Sequence, residues 1–281
     1  MDLKTQQERA ETFRRMHHGK ILTLPNAWDA ASAAVLEAAG FPAIATTSAG
    51  VANSLGYPDG QQIGRHEMAE AVRRIVESVS VPVSADMEAG YGETEESAVE
   101  TVHAAISVGA IGINLEDGTR DRERPLIDVD VQVLRIRAAR EAAVSLGVPI
   151  VINARTDVYL AGVGEAGQRL SHAVARGNAY LQAGADCVFV PAAMDAVTIG
   201  ALAREISGPI NILALKGVPS VPELEQLGVA RVTVGSGFHR ATMGFLRHAA
   251  AELQAEGTYT SFTDQAISYA DLNRLLARQR G

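Results

Sequence analysis

The chain has 281 residues, 47% hydrophobic, 21% charged and 5% aromatic, and a formal net charge of −8. With 25 basic against 33 acidic side chains and no block of like charge, it lacks the footprint of a nucleic-acid binder, and its one cysteine excludes an intrachain disulfide or a cysteine-built zinc site. The longest apolar run, residues 104–115, is broken by Ser107 and Gly109 and falls short of the ~20 residues needed to span a bilayer. The opening MDLKTQQERAETFRRMHH is polar, without the apolar stretch of a secretion signal, so a soluble, cytoplasmic protein is expected.

In chain order, short Ile/Val/Ala-rich runs alternate with segments whose apolar residues recur at helical spacing. The predicted strands are Ile21–Leu24, Ala43–Thr46, Val83–Asp86, Ile111–Glu116, Ile150–Arg155, Cys187–Pro191, Ile210–Ala214 and Arg231–Val234. Helices are predicted near 28–39, 65–79, 94–108, 130–146, 167–183, 194–206 and 220–227, with a further one after the last strand. Glycines such as Gly40, Gly109 and Gly184 fall between a helical pattern and the next strand, as left-handed helix caps do. Almost continuously apolar strands belong to a parallel sheet covered on both faces. Eight such units make an α/β fold, a (β/α)8 TIM-type barrel, as one domain over 1–281 with extra N- and C-terminal helices, the C-terminal extension starting near 240.

In such a barrel the chemistry gathers where strands end. Asp86 and Glu88 end the third predicted strand and Glu116 the fourth. Converging carboxylates repel unless a cation neutralises them, and their oxygens suit Mg²⁺, with Mn²⁺ as a substitute. As strand-end acids they are expected to add little to the core. Arg155 ends the fifth strand, either to clamp a carboxylate or phosphate through two parallel hydrogen bonds or to pair with Asp157. Ser48-Ala49-Gly50 and Gly235-Ser236-Gly237 are small enough for backbone N–H groups to approach an anion, or are simply tight turns. GVGEAG at 162–167 does not directly follow a strand, which argues against a dinucleotide site. Cys187 is expected to be inert core, and His17, His18 and His172 to lie on solvated helix faces.

The segments TTSAGVANSLGYPD (46–59), VSADMEAGYG (83–92), GINLEDG (112–118) and INARTDVYL (152–160) resemble, in this order and spacing, the isocitrate lyase/phosphoenolpyruvate mutase superfamily. The resemblance implies a modified barrel with Mg²⁺ as cofactor, acting on small 2-oxo or 2-hydroxy carboxylates by way of an enolate. It implies Asp86 as the direct Mg²⁺ ligand, Glu88 and Glu116 as ligands through water, and Asp59 as a further acid near the reacting group. Ser48, Ala49 and Gly50 would hold the substrate carboxylate, with Arg155 as its clamp and Asn211 as another contact. The family's lyases carry a cysteine and a histidine in the lid after the fourth strand, whereas GTRDRERPLID (118–128) has neither. A strand-six glutamate or histidine found in some members falls at Pro191 here.

A lyase without that cysteine is expected to be a decarboxylase of oxaloacetate type, since departing CO2 needs no base to remove a hydroxyl proton. Arg120, Arg122 and Arg124 would then form a lid for a dianionic substrate. The alternatives are a phosphonopyruvate hydrolase-like P–C bond enzyme, a non-catalytic 2-oxo acid binder, or an aldolase using Lys216 as a Schiff base. The expected partners are the small carboxylate and further copies of the chain, with no nucleic acid and no membrane. The stripe Ile267, Leu272, Leu275 and Leu276 in 261–281 suggests a homotetramer or dimer, or a helix folded back on its own subunit.

Overall fold

In the computed structural model, which describes residues 2–119 and 121–277, nine strand segments run parallel in one sheet. They are β1 (Leu22–Leu24), β2 (Asn26–Ala27), β3 (Ile44–Thr46), β4 (Val83–Asp86), β5 (Gly112–Glu116), β6 (Val151–Arg155), β7 (Cys187–Phe189), β8 (Ile210–Leu213) and β9 (Arg231–Thr233). β1 pairs with β9 while β2 pairs with β3, and only Pro25 separates β1 from β2. Proline has no N–H to donate, so it splits one strand into two pieces. Its carbonyl still accepts from Ala45 N at 2.8 Å, and the sheet closes into a barrel through this point.

The helices are α1 (Leu3–Arg15), α2 (Ala30–Ala38), α3 (Ser48–Ser54), α4 (Arg65–Glu77), α5 (Glu95–Ser107), α6 (Val129–Ser145), α7 (Arg169–Gln182), α8 (Ala196–Glu205), α9 (Val221–Gln226), α10 (Gly237–Glu256), α11 (Thr260–Thr263) and α12 (Tyr269–Ala277). Those covering the barrel bury one apolar stripe each; α4, for example, buries Met68, Ala69, Val72, Ile75 and Val76. Gly184 ends α7 at φ +112, a conformation that L side chains rarely adopt. None of the described helices is long and apolar enough to cross a membrane.

α1 buries Ala10 and Phe13 in the core, and Gln6 donates to the carbonyls of Ile106 and Ala110. His17 follows α1 and corrects the expectation of a solvated histidine: it is buried edge-on against Phe13, its Nδ1 2.9 Å from the Phe13 carbonyl. Ser48-Ala49-Gly50, which the sequence suggests as an anion-binding or tight turn, instead opens the helix α3. It is helical because Thr47 caps it and because Gly50 packs under Trp28, where an added Cβ would lie 2.9 Å from the Trp28 Cβ. At the other end, α10 buries only His239 and Ala249 over 20 residues, and α12 rests against α2 of its own chain.

Candidate active site

The end of β4 sets the centre of the site. Asp86 is 8% exposed, and one of its oxygens takes both the backbone N–H of Ser48 at 2.9 Å and its hydroxyl at 2.7 Å. Asn114 Nδ2, on neighbouring β5, reaches the other oxygen at 3.3 Å. The Asp86 N–H in turn donates to Thr46 Oγ1 at 2.8 Å, so β3, β4 and β5 all fix this carboxylate.

Beyond Asp86 the chain turns sharply. Glu88 adopts φ +51, Gly90 +82, Tyr91 +56 and Gly92 +152. The turn leaves Glu88 3% exposed, with its carboxylate accepting from the Gln61 N–H, and its carbonyl accepts from Glu116 N at 3.1 Å. The acids at the ends of β4 and β5 are thereby tied together through the backbone.

Arg155 closes the arrangement from β6. Its Nη1 pairs with Glu116, while Nε and Nη2 bond both oxygens of Asp157 at 2.6 and 2.8 Å. Its guanidinium also lies over the Phe189 ring, 5.9 Å from the centroid. Burial pushes the Glu116 carboxyl well above the usual carboxylate range; Arg155 opposes this, while Asp157, Asp86 and Glu88 add to it. For Arg155 burial works against the charge, but Glu116 and Asp157 outweigh it and hold the guanidinium protonated. Behind the pair, the fully buried Asp117 accepts from Asp157 N at 2.8 Å, Tyr180 Oη at 2.6 Å and Arg176 at 3.0 Å. Gly118 is required here, because an added Cβ would stand 2.4 Å from Asp157 Oδ2.

The family model described as phosphoenolpyruvate phosphomutase matches residues 13–254. The chain belongs to this family, within the phosphoenolpyruvate mutase/isocitrate lyase superfamily. A solved structure from Burkholderia cenocepacia J2315 is 39% identical, covers 98% of this chain and 97% of its own, and superposes with a TM-score of 0.91. The 2-methylisocitrate lyase of Escherichia coli (strain K12) is 31% identical over 243 residues, spanning 83% of this chain and 79% of that enzyme. A structure of phosphonopyruvate hydrolase in complex with oxalate and Mg²⁺ is 25% identical, covers 97% of this chain and 96% of its own, and has a TM-score of 0.85. The chain is an enzyme of this lyase and mutase superfamily.

Within this superfamily member, Asp86, Glu88, Glu116 and Arg155 meet at one end of the barrel. Ser48 joins them through Asp86, and Ala49 and Gly50 follow it in the first turn of α3. Asn211 does not lie at a strand end: it is the second residue of β8, fully buried, with Oδ1 3.3 Å from Thr233 Oγ1 and in register with Arg231. Asp59 sits on the exposed stretch between α3 and α4.

The Gly235 turn is already used, because the N–H groups of Val234 and Gly235 both donate to Asn26 Oδ1 at 2.9 Å. Arg124 pairs with Glu93 on the surface at 2.6 Å, Arg122 is exposed, and Arg120 lies outside the described residues. Lys216 is exposed beyond β8. Cys187 is buried, its thiol pushed up to about 12 by burial, as expected of inert core.

Asp86, Glu88 and Asp157 crowd Glu116 and help to raise its pKa despite the Arg155 guanidinium, a repulsion that a divalent cation would relieve. Among the described residues, however, no three acid, histidine or cysteine side chains converge closely enough to cage an ion. Carboxylate oxygens are hard donors of the kind that Mg²⁺ takes, one or two directly, with its other positions filled by water and substrate oxygens. Sequence reasoning missed Tyr91, Asn114 and Phe189. Nothing in the sequence marks Tyr91 as left-handed, while Asn114 and Phe189 were legible only as inward positions of their strands.

Proposed function

We propose that this chain is a Mg²⁺-dependent lyase of a small 2-oxo or 2-hydroxy carboxylate, decarboxylating a substrate of oxaloacetate type. The observation that supports this most is the meeting of Asp86, Glu88 and Glu116 with Arg155 on adjacent strands. Asp86 would hold the ion directly and Glu88 and Glu116 through water, with Mn²⁺ an acceptable substitute. When bound, Mg²⁺ supplies Lewis-acid stabilisation of negative charge developing on the substrate oxygens.

The chain's own residues do the rest. Arg155 presents a planar fork, its guanidinium carbon 5.9 Å from the Phe189 ring centroid, that can exchange Asp157 for a substrate carboxylate. Ser48, Ala49 and Gly50 would border that carboxylate from the start of α3, with Asp59 on the adjoining segment and Asn211 in the barrel interior. In decarboxylation the bond to the departing carboxylate breaks and its electron pair forms the carbon–carbon double bond of an enolate, with the negative charge on the oxo oxygen; a proton from water then yields pyruvate, and no base is needed to remove a hydroxyl proton. This suits residues 118–128, which contain neither cysteine nor histidine. The oxalate and Mg²⁺ of the phosphonopyruvate hydrolase relative are the kind of ligands such a site would take, and they make P–C cleavage the competing chemistry.

Oxaloacetate, methylisocitrate and phosphonopyruvate, each assayed with Mg²⁺ and with excess chelator, separate these activities. Pyruvate and CO2 from oxaloacetate, lost on chelation, is the expected result. Thermal stabilisation by 2-oxo acids with no turnover of any would instead identify a binding protein.

A further inference from the structure

We infer that Arg135, on α6 and remote in sequence from the carboxylates, is the positioning residue that holds Glu88 in place for the metal. The inference rests on the Mg²⁺ reading above and deepens it.

Arg135 is fully buried, yet its hydrogen bonds go to uncharged oxygens: the carbonyls of Ala89 and Gly92, the latter at 2.8 Å, and the side chain of Gln132. Burial without a bonded carboxylate lowers its pKa to about 10, although Glu93 counters this. Placing a guanidinium there is a poor way to stabilise a core, because its desolvation is not repaid by an adjacent opposite charge.

The loop it grips explains the placement. Glu88, Gly90, Tyr91 and Gly92 all have positive φ, and Glu88 and Tyr91, which carry a Cβ, are strained in that conformation. Such a turn persists only where its surroundings impose it. Arg135 draws together two carbonyls on either side of the left-handed pair Gly90-Tyr91 through the two hydrogens of one nitrogen, Nη2, while Nη1 is tied to Gln132. The contact is tight: a Cβ on Gly90 would lie 3.1 Å from Arg135 Nη2 and 2.9 Å from Leu115 Cδ1. Thr101 Oγ1 holds the Gly90 carbonyl at 2.8 Å, and Gln61 Oε1 accepts from Tyr91 N at 2.8 Å. With the loop after Glu88 pinned in this way, the Glu88 carboxylate is presented to the Gln61 N–H.

The test uses the full chain and Mn²⁺, read by electron paramagnetic resonance, with amide exchange of residues 87–92 as a second readout. Arg135→Met keeps a long side chain and removes the donors. Gly90→Ala leaves Arg135 intact and pushes the loop away from it, so a folding failure of one variant leaves the other informative. Each is expected to raise exchange in 87–92 and to weaken Mn²⁺ binding about tenfold, the lower end of the usual cost of disturbing a ligand's support. In a Glu88→Gln background Arg135→Met should weaken it no further, because its effect passes through Glu88. An equal further loss in that background would show a merely structural role and overturn the inference. Variants that bind Mn²⁺ like a wild type that binds it overturn the positioning role alone. A wild type that takes up no Mn²⁺ overturns the metal reading and this inference together.

Discussion

Ser48 gives both its N–H and its hydroxyl to the same oxygen of Asp86, at 2.9 and 2.7 Å. The acid at the end of β4 is thus the anchor of the chain that leaves β3, as well as a candidate metal ligand. Asp86→Ala therefore does more than remove a ligand, contrary to the expectation that strand-end acids add little to the core. It leaves two buried donors unsatisfied and should cost about 1–3 kcal/mol in urea unfolding. Asp86→Asn keeps an acceptor for Ser48, so it should unfold nearly as the wild type does while losing Mg²⁺-dependent activity. Activity of Asp86→Asn that persisted in excess chelator would show that the three acids do not serve a metal.

Arg155 spends all three of its nitrogens on Glu116 and Asp157. Arg155→Lys retains a charge but can satisfy only one carboxylate at a time. Turnover should drop about 100-fold, the scale on which small misplacements act in active sites. Saturation kinetics with each accepted oxo acid measures this, and a variant within twofold of wild type would exclude Arg155 as the carboxylate clamp.

His17 predicts an acid-sensitive contribution to stability. Burial, with Arg231 nearby, lowers its pKa from 6.5 to about 4, against the opposing Phe13 carbonyl and Asp186. A group with a depressed folded pKa favours folding above its unfolded value, and that contribution is lost as pH falls toward the folded one. The window is thus pH 6.5 down to about 4. Between pH 7 and pH 5 the wild type should lose about 2 kcal/mol more than His17→Gln, which does not titrate. Identical pH slopes in denaturant melts of the two proteins would place His17 in water.

Assembly follows from α10 and α12. Phe238, Met243, Phe245, Leu246 and Leu253 are all exposed on or at the start of α10, at 37–58%. Ile267 is 53% exposed, although Leu272, Leu275 and Leu276 are half-buried beside α2. An exposed apolar set of this size fits a second copy of the chain. Light scattering should give a tetramer, or at least a dimer, that weakens when 261–281 is removed; a ~30 kDa monomer for the intact chain would exclude it.

The barrel and the identity of its carboxylates were legible because both depend on local order along the chain. A run such as Ile111–Glu116 is apolar up to its last residues, so strand and strand-end acid are read together. Helix-to-strand joints such as Gly184 declare themselves by composition. The fold of α3 was not legible, because SAGVANS is helical only through its Thr47 cap and its packing under Trp28. Nor was the burial of His17, whose ring packs edge-on against Phe13 and feels the charge of Arg231 from the last strand of the barrel.

In the site, sequence alone determined that Asp86, Glu88, Glu116 and Arg155 end neighbouring strands, because a parallel barrel turns chain order into spatial order. Which groups meet was decided only by the tertiary structure. Arg155 could have faced solvent or a single acid; burial between β5 and β7 makes it neutralise both Glu116 and Asp157. The left-handed backbone at Glu88 belongs to no local preference of glutamate. It exists because Arg135, Thr101 and Gln61, from three distant segments, fold around one short loop and satisfy its polar groups.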